Sequence, residues 1–211
     1  MAINLSPRQF RHEHLLREID DILATTGMRP EFLELEITEG MVMQSVDRAI
    51  GLLTEIKKRG VRLAMDDFGT GYSSMAQIKR FPIDTLKIDR SFIRDLPKNT
   101  EDRAIADAII GLGKALSLTI VAEGVETTDQ AAFLRDHACD EMQGYLFTRP
   151  VSAENLSALL RLPTVASPSL QPDSKVAMRT KSSVEARRLL ATVKAQCGEV
   201  SEVGARPEIE G

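Results

Sequence analysis

The sequence predicts an α/β fold built on a parallel sheet, and three observations carry that prediction. Helical and strand periods alternate along the first part of the chain. The strand-like runs are short and apolar, as expected of strands in βαβ units. A polar residue closes nearly every one of them. The apolar runs fall at residues 2–5, 33–37, 61–65, 85–88 and 118–122, with a weaker one at 142–146. Between them, Leu15, Leu16, Ile19, Ile22 and Leu23 follow helical spacing, and Gly27 supplies a C-terminal stop. Val46, Ile50, Leu53 and Ile56 repeat the pattern up to Gly60, and Ala104, Ile105, Ala108, Ile109, Leu112 and Leu116 form a third helix. Shorter helices are predicted over 74–80, 128–137 and 153–161.

Composition narrows the function. The chain has 211 residues, 43% hydrophobic and 27% charged, with a formal net charge of -4. That length suits one domain with a substantial core. No apolar run approaches the roughly 18 residues of a membrane span, and the first residues lack the pattern of a signal peptide. The acidic balance argues against a nucleic-acid polymer as partner. Cys139 and Cys197 fit neither a disulfide framework nor a metal clip, so a reducing cytoplasm is the expected compartment. After Leu162 the composition shifts: residues 163–211 hold no aromatic side chain and are rich in Pro, Ser, Val and charge. We therefore expect a domain over 1–162 and a tail over 163–211, mostly disordered, with a weak helical pattern at 182–197.

The polar residues at the strand ends are the candidate site. Asn4, Glu36, the Asp66–Asp67 pair, Lys87 with Asp89, Glu123 and Gln143 each close a run. In parallel βα folds the connecting loops converge at the carboxyl ends of the strands, so one such series points to one site. Glu36, Asp66, Asp67 and Glu123 at one rim would repel one another without cations. Oxygen ligands with an Asn carbonyl favour Mg²⁺ or Mn²⁺ over Zn²⁺. Adjacent Asp66 and Asp67 could serve two ions, roughly 3.5–4 Å apart, that activate water and steady the leaving oxygen of a phosphoester. Lys87 adds positive charge beside that water or a phosphate oxygen. The loop from Asp67 through Gly69 to Ser74 offers backbone to a phosphate and a Ser helix cap.

Competing readings are weaker. Asp-Phe-Gly stands here without the Gly-rich and catalytic loops of a kinase, and Gly69-Thr70-Gly71 lacks the third glycine of a dinucleotide fingerprint. His12 and His14 are expected on different faces of a helix, at the surface. His137 reads as a cap, Cys139 as buried packing, and Met41, Met43, Met65 and Met75 as core filler.

Six runs together resemble the EAL family of cyclic-di-GMP phosphodiesterases: INLS at 3–6, ELEITE at 34–39, DDFGTGYSS at 66–74, LKIDRSF at 86–92, VAEGVE at 121–126 and QGY at 143–145. They stand in that family's order and spacing, between residue 2 and about 160. The resemblance implies a (β/α)₈ TIM-type barrel that opens cyclic-di-GMP to linear pGpG with two Mg²⁺ or Mn²⁺ ions. It makes Asn4, Glu36, Asp66, Asp67 and Glu123 metal ligands, Glu123 the general base and Lys87 the residue that positions water. Gln143 becomes a polar residue near the metals and, with Gly69, the substrate. Glu39 and Glu126 become supporting residues, Glu39 holding the loop after Asp66, which in the family also helps form a homodimer. Gly40 stands where the family commonly has Ser.

The front of the sequence departs from this pattern. There is no Glu-Ala-Leu tripeptide, and the sequence begins at the strand bearing Asn4. By family order about six of eight strands are present, and the N-terminal strands with the name-giving glutamate and an arginine after it are missing. The expectation is the C-terminal portion of such a domain, completed by a missing N-terminal segment or a partner chain, with an upstream sensory or cyclase domain as a further partner. The alternatives are a degenerate EAL module that binds nucleotide or protein without hydrolysis, or a non-functional truncated remnant.

Overall fold

The computed structural model describes residues 1–71, 75–152 and 155–156. The tail at 163–211, its predicted helix, Cys197 and the Ser cap at 73–74 lie outside the described residues. So does the helix predicted at 153–161, apart from Asn155 and Leu156. The chain divides into a unit Met1–Arg149 and a second unit Pro150–Gly211.

Among the described residues, six strands form one sheet: β1 (Ala2–Asn4), β2 (Glu34–Thr38), β3 (Arg62–Phe68), β4 (Thr85–Ile88), β5 (Thr119–Glu123) and β6 (Glu141–Gln143). Every pairing is parallel, and the spatial order is the chain order. Each strand is laid beside its predecessor, which is how a (β/α) barrel winds; a doubly wound sheet reverses its order midway. The helices are α1 (Pro7–Phe10), α2 (Leu15–Thr26), α3 (Glu39–Met43), α4 (Val46–Lys58), α5 (Met75–Ile78), α6 (Thr100–Ala115) and α7 (Thr128–Asp136).

Alternation along each strand divides the sheet into two unlike faces. Leu35, Ile37, Leu63, Met65, Leu86, Ile88, Ile120 and Ala122 are buried on the face that the helices cover. Here α6 packs so closely that a Cβ on Gly113 would fall 1.8 Å from Ile120 Cδ1. The opposite face carries Glu34, Glu36, Arg62, Asp66, Thr85, Lys87 and Glu123. One face holds the core and the other holds charge.

The helices end as their sequences dictate. α2 stops at Gly27, which adopts φ 64° and returns its N–H to Leu23. α7 starts with a capping box, in which Thr127 accepts from Gln130 N–H and the Gln130 side chain reaches back. Several expectations are corrected. β6 lies at 141–143, not 142–146, because Gly144 is pressed onto Val125 (a Cβ would meet the Val125 oxygen at 2.2 Å) and Leu146 N–H bonds Val125 instead of a strand. On α6 the buried residues are Ala106, Ile109, Ile110 and Gly113, while Ile105, Ala104 and Ala108 face outward. His12 and His14 are exposed, but they stand in the turn before α2 and not on a helix.

Candidate active site

The site is built from strand ends on the charged face. Lys87 lies on β4 near the middle of the sheet and is only 5% exposed. Its ammonium donates to Glu36 Oε1 at 2.8 Å from β2 and to Glu123 Oε1 at 2.6 Å from β5, with Asp66 Oδ1 of β3 at 3.3 Å. An unpaired ammonium at that depth would cost several kcal/mol, of the order of 3–5. Three carboxylates from three strands supply the compensation. Burial opposes the charge of Lys87, but its hydrogen bonds to Glu123 and Glu36 and the Glu123 and Asp66 charges outweigh it and hold the lysine above its ordinary range.

A β-bulge places the aspartates. Met65 pairs with Leu86 and Phe68 with Ile88, so Asp66 and Asp67 together face the single residue Lys87. A regular strand would send the two carboxylates to opposite faces. Asp67 absorbs the extra residue with φ 53°, a left-handed conformation uncommon outside glycine. Its N–H donates to Asp66 Oδ1 at 3.0 Å. Burial first, and then the charges of Asp66 and Asp89, push the Asp67 carboxyl up. Asp89 itself is held down: burial opposes ionisation, but hydrogen bonds from Ser91 and from Asp67 favour it.

The loop beyond the bulge is tied to Glu39. This glutamate begins α3, is 3% exposed, and accepts the Gly69 N–H at 3.3 Å. At Gly71 any Cβ would lie 2.5 Å from Glu39 Oε1, so that position admits only glycine without movement. Asn4 and Gln143 sit on the outer strands in register with Glu36 and Glu123 respectively, and both are exposed. Glu126 is exposed outside the cluster, and its N–H donates to the Gln130 side chain at the start of α7. The structure thus gathers Glu36, Asp66, Lys87 and Glu123 directly, with Asp67 beside them. Asn4 and Gln143 flank the group.

Asp89, named with Lys87 among the strand-end residues, follows β4 and contacts Asp67. One feature escaped the sequence reading. One layer further down the same face, Glu34 Oε2 stands 3.2 Å from Arg62 Nε and accepts from the Thr85 hydroxyl at 3.0 Å. No signal marked this layer, because its members are dispersed through runs that read as apolar.

Among the described residues, no three histidine, cysteine or acidic side chains stand together as a metal cage. The carboxylates converge on Lys87. The donor set nevertheless fits a hard divalent cation: Glu36, Asp66, Asp67 and Glu123 face one ammonium, an excess of negative charge, and every donor is oxygen.

The EAL domain family model matches residues 1–150. A relative named cyclic di-GMP phosphodiesterase NbdA, of Pseudomonas aeruginosa, is 46% identical over 161 residues, covering 76% of this chain and 21% of its own length. Such relatives are long, and the chain spans about a fifth of the curated proteins it matches. Among solved structures, the MucR phosphodiesterase from the same organism, a c-di-GMP complex, aligns with TM-score 0.72 at 44% identity, over 74% of this chain and 63% of that one. A manganese and cyclic-di-GMP complex of Klebsiella pneumoniae BlrP1 aligns with TM-score 0.66 at 35% identity, over 71% and 38%. With its sequential parallel sheet and its family match over most of its length, this chain belongs to the EAL domain family.

Proposed function

We propose that this chain contributes the catalytic rim of a phosphodiesterase that opens cyclic-di-GMP to linear pGpG. The observation that carries the reading is the Lys87 ammonium held among Glu36, Asp66 and Glu123 at the ends of neighbouring strands. The names of NbdA and MucR supply the substrate class.

Asn4, Glu36, Asp66, Asp67 and Glu123 are the residues that would hold Mg²⁺ or Mn²⁺, as two ions. Bound there, the ions supply an acidified water and neutralise charge on the phosphodiester. The protein's own groups do the rest. Glu123 takes the proton of the attacking water as general base, using the carboxylate oxygen that does not face Lys87. The water oxygen forms a bond to phosphorus, the bond from phosphorus to the ribose 3′ oxygen breaks, and that oxygen takes up a proton from solvent. Lys87 orients the water and offers a hydrogen bond to a phosphate oxygen as charge builds. Gly69, its N–H on Glu39, brings the backbone of the loop beside the substrate. Glu39 holds that loop in place, Glu126 supports the segment after Glu123, and Gln143 hydrogen-bonds the ligand at the sheet edge.

The test is cation dependence with product identification. Cyclic-di-GMP incubated with the chain and Mn²⁺ should yield pGpG by chromatography. Excess EDTA should abolish it, and added Mn²⁺ should restore it. Turnover that survives chelation would remove this reading.

A further inference from the structure

We propose that Gln130 is a positioning residue of the site: its buried side-chain amide ties the loop that leaves Glu123 to the loop that leaves Lys87, and so sets how those two groups meet. The inference rests on the reading above for the roles of Glu123 and Lys87.

Gln130 stands in the first turn of α7 and is only 3% exposed. Its Oε1 accepts the N–H of Glu126 at 2.7 Å and that of Thr127 at 2.9 Å, both in the loop after β5. Its Nε2 donates to the carbonyl of Arg94 at 2.9 Å, in the loop after β4. These partners fix the amide's orientation, because an N–H can meet only the oxygen and a carbonyl only the nitrogen. A capping box accounts for the Thr127 bond alone. The bonds to Glu126 and Arg94 instead join two loops whose strands end in the 2.6 Å contact of Lys87 with Glu123.

Packing draws the same two loops together. Gly124, at φ 70°, lies so close to Arg90 that a Cβ would fall 2.7 Å from Arg90 Cβ. Ile93 and Val125, the residues before Arg94 and Glu126, are fully buried. The turn that carries Arg94 is itself closed: Arg94 N–H bonds the Arg90 carbonyl at 2.9 Å, and Asp89 accepts the Ser91 N–H at 2.8 Å. A tie at Arg94 is therefore passed back to Asp89 and to the end of β4. Shifts of about 1 Å at reacting groups cost up to about a hundredfold in rate, so such a brace matters to chemistry and not only to folding. A carboxylate in place of the amide could keep both N–H partners, but it has no proton to give Arg94.

The experiment compares the full chain with Gln130→Glu, Gln130→Met and Thr127→Val at pH 8. Ionised, the glutamate still caps α7, where the helix start favours it, but it opposes the Arg94 carbonyl. In Gln130→Glu the α7 amides should stay protected against hydrogen exchange, while those of residues 90–94 exchange several-fold faster. Its kcat for cyclic-di-GMP with Mn²⁺ should fall about tenfold or more with KM little changed. Acetylation of Lys87, mapped by mass spectrometry against Lys57 of the Lys57–Asp84 pair, should quicken several-fold as its contact with Glu123 loosens. Gln130→Met should loosen α7 as well. Thr127→Val breaks the cap and leaves the brace, so it should loosen α7 with kcat and Lys87 acetylation at wild-type values. Wild-type kcat and Lys87 acetylation in Gln130→Glu overturn the proposal, and so does Thr127→Val matching Gln130→Glu in both. Should neither Gln130 variant fold, the wild type still answers: its Glu126 and Thr127 amides should exchange as slowly as those of β5, and rapid exchange overturns the proposal. A folded wild type without turnover counts against the hydrolase reading alone, and Lys87 acetylation then decides the role of Gln130.

Discussion

At the scale of single residues, burial sets what each ionisable group can do. Lys87 and Cys139 are both buried, yet only the lysine is ion-paired to carboxylates. Cys139 is 4% exposed, and its thiol donates to the carbonyl of Glu141 at 3.3 Å. Burial pushes this thiol from an ordinary 9.0 up to about 12. Thiolate is the reactive form, so iodoacetamide at pH 8 should leave Cys139 unmodified in the folded chain and label it once denaturant is added. The same shift fixes a sign for stability. The folded thiol keeps its proton where an unfolded one loses it, so its contribution is complete below pH 9 and falls as pH rises from 9 towards 12. Rapid labelling of native Cys139 at pH 8 would contradict the burial described here.

At the scale of elements, close packing and strand starts carry the testable content. Gly113→Ala on α6 drives a methyl into Ile120 and should destabilise the chain by about 1–3 kcal/mol, measured by urea unfolding. Adding Ile120→Val removes the clashing Cδ1 atom and should recover part of that loss, so that the pair is less costly than the sum of its members. Asp84, just ahead of β4, accepts the Leu63 N–H at 2.9 Å and both hydrogen bonds from Lys57 at 2.7 Å. Asp140 repeats the device ahead of β6, accepting the Ile120 N–H at 2.8 Å. Asp84→Ala should therefore cost about 1–3 kcal/mol, or several degrees of melting temperature for a chain of this size. A change within error would mean that the strand start does not depend on this acid.

Much of this level was legible in the sequence, and the exceptions have physical causes. The long helices announced themselves through spacing and the glycines at 27 and 60, and the first five strands through short apolar runs. The bulge at Asp66–Asp67 did not, because it is a mismatch of register between two strands and neither strand carries it alone. α3 was missed since five residues are too few to show a period. The outward turn of Ile105 was missed because α6 is apolar around more than one face. For β6, the close approach of Gly144 to Val125 overrode an apolar run.

At the scale of the whole molecule, the sheet separates stability from chemistry. Its helix-covered face is a continuous apolar core, and the other carries acids and bases ending at one rim. Because the strands follow chain order, residues as distant in sequence as Glu36 and Glu123 reach the same ammonium. The strand-end series was readable one residue at a time, whereas its convergence on Lys87 is a property of the fold. The chain matches about a fifth of the length of its curated relatives, so its activity is the point on which the account most depends. The most direct measurement is turnover of cyclic-di-GMP by the purified full chain with Mn²⁺, beside Glu123→Gln and Asp66→Asn variants of confirmed fold. The account predicts pGpG from the wild type and a loss of about a hundredfold or more in each variant. No product from a folded wild type, or turnover retained in both variants, would contradict it.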